Sequence, residues 1–200
     1  DLDAAVNAAK NAFSTWKETS KEERINLLEK LLKIYKKRFN EMTEAITTEM
    51  GSPIDYSSST HTVSGQSHIE DFILRLKEFN FEEHFDSKSN NYISYEPIGV
   101  CGLITPWNWP INQIALKVVP AIAAGCTMIL KPSEIAPISA MLFTEMIDEA
   151  GFPPGVFNLV NGDGAGVGTY ISSHPDIDMV SFTGSTRAGK LISKNAADTI

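Results

Sequence analysis

Six consecutive residues, Thr105-Pro106-Trp107-Asn108-Trp109-Pro110, place two prolines and two tryptophans around one asparagine. Proline fixes φ and large aromatic rings anchor the chain, so whatever lies between them is held in place. A held asparagine amide is a donor suited to negative charge growing on a carbonyl oxygen; the alternative is that Asn108 caps the next helix or turn. Lys131-Pro132-Ser133-Glu134 is the second unusual segment. A lysine and a carboxylate at a strand end can grip adjacent ribose hydroxyls, one as donor and one as acceptor. The carboxylate also repels a 2′-phosphate, which favours NAD over NADP. An ordinary ion pair or loop cap is the alternative. Gly162-x-Gly164-x-x-x-Gly168 allows close backbone approach to a ligand. It lacks the first-strand dinucleotide fingerprint and an acidic residue about 20 positions on, so alone it carries little. Phe182-Thr183-Gly184-Ser185 closes a strand and opens a helix, whose amino end and Ser185 hydroxyl suit a phosphate. Simple N-capping by Ser185 is the alternative, and the two are compatible.

The elements around these segments form a βα repeat. Short apolar runs at 98–104, 126–130, 155–160 and 179–182 read as strands. Between them lie helical stretches: 110–124 closed by Gly125, 137–150 closed by Gly151, and 164–172; another runs from about 185 to 197. Strand and helix alternating in this way predict right-handed crossovers and a parallel sheet with ligands beyond the strands' carboxyl ends. All four unusual segments fall there. Cys101 and Cys126 fall inside apolar strands, where a thiol is ordinarily inert structural filling with a raised pKa.

Residues 1–84 read as helices. Leu2, Ala5, Val6, Ala9, Phe13 and Trp16 form one apolar stripe, and Ile25 through Ile46 another. Ser20 and Glu23 suit a capping box at the start of the second, which is predicted as a single helix of about 27 residues. Gly51-Ser52-Pro53 ends it. Ser57 to Thr60 is a loop or a helix entry, and Ile69 to Phe79 a further amphipathic helix. Tyr92 to Glu96, within the segment 85–97, read as extended, an edge strand or a short ribbon, because Pro97 disfavours a central strand. Residues 98–200 hold the βα repeat and are expected to form a nucleotide-binding region.

A net charge of −8 argues against a nucleic-acid partner. The sequence holds no apolar run of membrane-spanning length. The four histidines match no metal-ligand spacing, so no metal is expected. Two cysteines make no disulfide framework, and a reducing, cytoplasmic setting is the expectation. The chain begins at Asp1 rather than Met and ends on a helical run, so it is expected to be part of a longer protein.

Pro106-Trp107-Asn108, Lys131-Pro132-Ser133-Glu134, Gly162-x-Gly164-x-x-x-Gly168 and Phe182-Thr183-Gly184-Ser185, in this order and spacing, resemble the NAD(P)-dependent aldehyde dehydrogenase superfamily. Lys117 matches a family lysine as well. The resemblance spans essentially the whole chain. It implies a Rossmann-like, doubly wound α/β fold with a helical amino-terminal segment and an oligomerisation ribbon. It implies that Asn108 donates its amide to the oxyanion of a thiohemiacetal. Ile104, Thr105 and Trp107 would line the cofactor cleft, and Lys131 and Glu134, with Ser133 between them, would bind the adenosine ribose. Gly164 would lie beside the adenine, with Gly168 in the same motif. Phe182, Thr183, Gly184 and Ser185 would lie near the pyrophosphate. NAD is the implied cofactor, NADP less so, and an aldehyde the implied substrate of a homodimer or homotetramer. The family's nucleophilic cysteine and general-base glutamate are expected beyond residue 200. A coenzyme A-acylating relative, or a non-catalytic nucleotide-binding fragment, is the alternative.

Overall fold

The computed structural model describes residues 1–86 and 90–199. Residues 87–89, inside the segment expected to form the ribbon, and residue 200 lie outside the described residues.

Helix α1 (Leu2–Trp16) buries Val6, Ala9 and Trp16. The capping box before α2 (Lys21–Lys37) is formed: Ser20 Oγ accepts from the Glu23 amide, and the Ser20 amide donates to Glu23 Oε2 at 2.7 Å. The expected single helix is two. Arg38 breaks the run with φ −101° and ψ 20°, and α3 (Phe39–Met50) starts afresh. The break turns Arg38 toward Glu41 and Glu145, each 2.8 Å away. The apolar stripe continues across the joint, so periodicity carries no sign of it.

Gly51 ends α3 in the left-handed region, where only a residue without Cβ is comfortable. The serine-rich stretch is helical throughout: α4 (Ile54–Tyr56), a six-residue π-helical turn Ser57–Thr62, then α5 (Val63–Glu78). Ser57, His61 and Thr62 are buried in that turn. The Thr62 carbonyl accepts the Tyr35 hydroxyl at 2.9 Å. β1 (Glu82–His84) pairs antiparallel with β2 (Tyr92–Ser94). The ribbon therefore draws its first strand from residues 82–84, at the end of the stretch expected to be helical.

The main sheet comprises β3 (Val100–Ile104), β4 (Thr127–Lys131), β5 (Phe157–Leu159) and β6 (Met179–Phe182), in the order β5-β4-β3-β6. All three pairings are parallel. β3 and β4 are buried along their whole length, which is why they read as unbroken apolar runs. α6 (Pro110–Ala124) and α7 (Ile138–Ala150) are followed by α8 (Thr169–Ser173) and α9 (Thr186–Ala196). One apolar cluster joins the sheet to α2, α5, α6 and α7. A second joins Val6 and Ala9 of α1 to Val100, Ile104, Ile129 and Ile171. Helices thus cover both faces, as the doubly wound expectation requires. Among the described residues no helix is long and apolar enough to cross a membrane.

Candidate active site

The carboxyl ends of β4, β3 and β6 stand side by side, with Ile104 in register with Lys131 on one flank and Phe182 on the other. The pairing continues past the strands. The Thr105 amide donates to the Lys131 carbonyl and the Thr183 amide to the Ile104 carbonyl, both at 3.1 Å. The chain winds from β3 outward to β5, then crosses back over β3 to β6. Strand order reverses between β3 and β6, and the crevice beyond that point is where such sheets bind ligands.

Thr105 is buried there, and its Oγ1 has no hydrogen-bond partner. Trp107 is half exposed and Asn108 exposed. The N-cap of α6 is Trp109, with Pro110 in the first turn, so Asn108 does not cap the helix. The Asn108 side-chain amide meets no partner among the described residues. Trp109 has φ 55° and ψ 53°, the one non-glycine residue with positive φ among those described. A bulky side chain there costs about 1–3 kcal/mol and persists where its surroundings over-determine it. The surroundings include His61, whose ring meets Trp109 edge to face with centroids 5.5 Å apart. Tyr56 meets His61 in turn at 5.1 Å. No motif or spacing in the sequence marks His61; its place depends on the π-helical turn.

Lys131 is buried and its Nζ lies 3.0 Å from Glu134 Oε2, with the glutamate half exposed. Its own backbone amide first, then Lys131, hold the Glu134 carboxyl below the usual range, and the Gly164 amide adds to this. Ser133 is buried and turns the chain, its Oγ accepting from the Ile135 amide at 3.3 Å. Gly164 is exposed, and a Cβ built there would meet nothing within 4 Å. Gly164 opens and Gly168 closes a second π-helical turn, Gly164–Gly168, with Gly168 buried.

At the β6 end, the Phe182 ring occupies the space a Gly184 side chain would need; a Cβ there would come within 2.5 Å of Phe182 Cζ. Ser185 caps α9, its Oγ accepting from the Ala188 amide at 3.2 Å. Thr183, Gly184 and Ser185 carry the chain from the crevice into that helix. Lys117 of α6 donates to Ser181 Oγ at 2.8 Å, and burial lowers its pKa.

Cys101 and Cys126 are both buried. Cys101 lies three residues, roughly 10 Å, before the carboxyl end of β3, and Cys126 immediately precedes β4. Both therefore sit toward the opposite end of the sheet from Asn108. The hydrogen bond with Cys126 and burial push the Cys101 thiol up, as expected. Cys126 departs from expectation in direction: the adjoining Cys101 thiol, the amides of Ile98 and Gly99 and the charge of Arg24 lower its pKa.

The family model described as "Aldehyde dehydrogenase family" matches residues 1–200. The chain belongs to the aldehyde dehydrogenase family. It is 52% identical over 200 residues to the 3-succinoylsemialdehyde-pyridine dehydrogenase of a Pseudomonas species, covering 100% of this chain and 41% of that protein. The crystal structure of a Bartonella henselae aldehyde dehydrogenase superposes with a TM-score of 0.98 at 60% identity, covering 100% of this chain and 42% of that one. Aldehyde dehydrogenase C from Pseudomonas syringae, a mutant crystallised with NAD+ and octanal, gives a TM-score of 0.97 at 46% identity, covering 100% and 41%. The chain thus spans about two fifths of the length of the relatives it matches.

A nicotinamide dinucleotide is compatible with the groups present in this aldehyde dehydrogenase chain. The unpaired Thr105 Oγ1 lies in the crevice, and the Lys131–Glu134 pair offers a donor and an acceptor at its edge. Open space stands over Gly164.

Proposed function

We propose that this chain is the nucleotide-binding portion of an NAD+-dependent aldehyde dehydrogenase that oxidises an aldehyde to a carboxylic acid. The observation that carries the reading is the Asn108 amide, exposed and without a partner beside the strand switch point of a family member. In this reading Lys131 and Glu134 hold the adenosine ribose, and Ile104, Thr105 and Trp107 line the cleft. Phe182 to Ser185 lead the pyrophosphate to the amino end of α9. When bound, NAD+ accepts a hydride from the substrate carbon. The Asn108 amide donates to the substrate oxygen as negative charge develops on it, a role worth most where water is excluded. The attacking thiolate comes from outside these 200 residues, because Cys101 and Cys126 are buried away from the crevice. The similarity to an enzyme crystallised with NAD+ and octanal supports both the cofactor and the substrate class.

The ribbon β1–β2 is exposed and has two open edges. Such edges call for a covering partner, which supports a homodimer or homotetramer. A cytoplasmic setting belongs to the same reading.

The test is NADH formation by the full-length protein given NAD+ and a series of aliphatic and aromatic aldehydes, with the acid product identified. Absence of NADH with every aldehyde would sink the proposal.

A further inference from the structure

His61 is 1% exposed, and neither of its ring nitrogens has a hydrogen-bond partner among the described residues. Burial lowers its pKa, so near neutral pH the ring carries one N–H donor and one bare acceptor. Leaving both unpaired is costly, and a phenyl ring would fill the same space without that cost. A polar side chain kept at such a cost calls for an explanation in function. Its position supplies one. His61 lies in the π-helical turn Ser57–Thr62, a geometry frequent at functional sites. Its ring packs between Tyr56 and Trp109, and Trp109 directly follows Asn108. Both covering rings are themselves open, Tyr56 48% and Trp109 37% exposed.

We propose that His61 is a specificity-determining residue whose imidazole hydrogen-bonds a polar group on the body of the aldehyde. The inference rests on the dehydrogenase reading above. Asn108 serves the carbonyl oxygen. His61 is reached past the Trp109 ring and therefore meets the part of the substrate beyond the carbonyl. Tyr56 belongs to the three-residue α4 and has its ring half in solvent, so rotation of that ring uncovers the imidazole without disturbing the core. The substrate class is an aldehyde carrying a ring nitrogen, a ketone or a carboxylate, rather than a plain hydrocarbon.

The experiment compares the full-length enzyme with His61→Phe and His61→Gln on two matched pairs: nicotinaldehyde against benzaldehyde, and succinic semialdehyde against pentanal. In His61→Phe the polar-to-apolar ratio of kcat/KM is expected to fall about tenfold in at least one pair. The apolar member should change less than about threefold and Tm should not drop, since the unliganded ring loses no bond. His61→Gln, which keeps a donor and an acceptor, should recover part of the ratio. An unchanged ratio in both pairs overturns the proposal, as does an equal loss on all four aldehydes, which marks a packing residue. If the unmodified enzyme forms NADH from none of these four nor from any aldehyde of the wider series, the dehydrogenase reading itself fails and takes this inference with it.

Discussion

Lys131 Nζ and Glu134 Oε2 lie 3.0 Å apart at the carboxyl end of β4, with the lysine buried and the carboxylate half in solvent. A fixed negative charge is thereby presented at the edge of the crevice, kept ionised by its own amide and by Lys131. A phosphate on the ribose 2′ position would meet that charge at close range. Glu134→Gln keeps the shape and removes the charge, so the ratio of kcat/KM for NADP+ to that for NAD+ should rise about tenfold or more. Steady-state kinetics with both cofactors checks it, and an unchanged ratio would show that the carboxylate does not face the ribose.

Asn108 is the exposed amide next to the switch point, and α6 does not need it as a cap. Asn108→Ala should therefore cost little stability. In the full-length enzyme kcat should fall by about 10²–10³, the range for losing one oxyanion donor. Dissociation constants for NAD+, measured by calorimetry, should stay within about twofold, because the lost interaction is made in the transition state. A rise in KM with kcat preserved would assign Asn108 to substrate binding instead.

Much of this arrangement is legible in sequence. Gly125 and Gly151 end α6 and α7 in the left-handed conformation, as glycines placed after apolar helical runs suggest. β3 and β4 appear as unbroken apolar runs because both their faces are covered. The break at Arg38 was hidden, since one non-helical residue leaves the stripe almost in phase and one of the carboxylates Arg38 turns to, Glu145, lies on α7, far along the chain. β1 was hidden because Glu82, Glu83 and His84 are exposed and show no alternation. The His61 contact with Trp109 spans 48 positions and depends on the π-helical turn, which no propensity marks. The crevice itself was approachable because its residues cluster at strand ends, where fold class alone predicts ligands.

The Phe182 ring sits where a Gly184 side chain would be, with only 2.5 Å between Cζ and a built Cβ. Gly184→Ala must push the ring or the turn after β6, a strain of about 1–3 kcal/mol. A lower Tm and weaker NAD+ binding should appear together, because the same turn leads into α9. Shrinking the ring should relieve the clash: the double variant Gly184→Ala with Phe182→Leu is expected to regain part of both losses. Thermal melts and NAD+ titration of the single and double variants decide it.

Glu49 of α3 ties two parts of the fold together. Its Oε2 accepts from the amides of Ile138 at 2.5 Å and Ser139 at 3.1 Å, at the amino end of α7. That helix has no side-chain cap of its own, because Pro137 occupies the N-cap. Glu49→Ala leaves both amides without their acceptor and should cost about 1–2 kcal/mol, the scale of a lost N-cap. Chemical denaturation would show it as a lower midpoint with an unchanged slope. Hydrogen exchange should speed up first at the start of α7.

Acid stability offers an independent reading of His61. Burial holds its folded pKa below the ordinary 6.5, with no charged partner among its ring contacts. Between that lowered value and about 6.5, the unfolded chain binds a proton that the folded chain does not, so stability falls as pH falls through this window. Well above it the imidazole is neutral in both states and contributes no slope. His61→Phe removes this contribution and leaves His68, His84 and His174 in place. The Tm of the variant minus that of the unmodified protein should therefore grow more positive as pH is lowered from about 8 to about 5. A difference that stays flat over that range would mean that His61 takes up its proton alike in the folded and unfolded chains. The ring would then be reached by water, and the cost assigned to its two unpaired nitrogens would vanish.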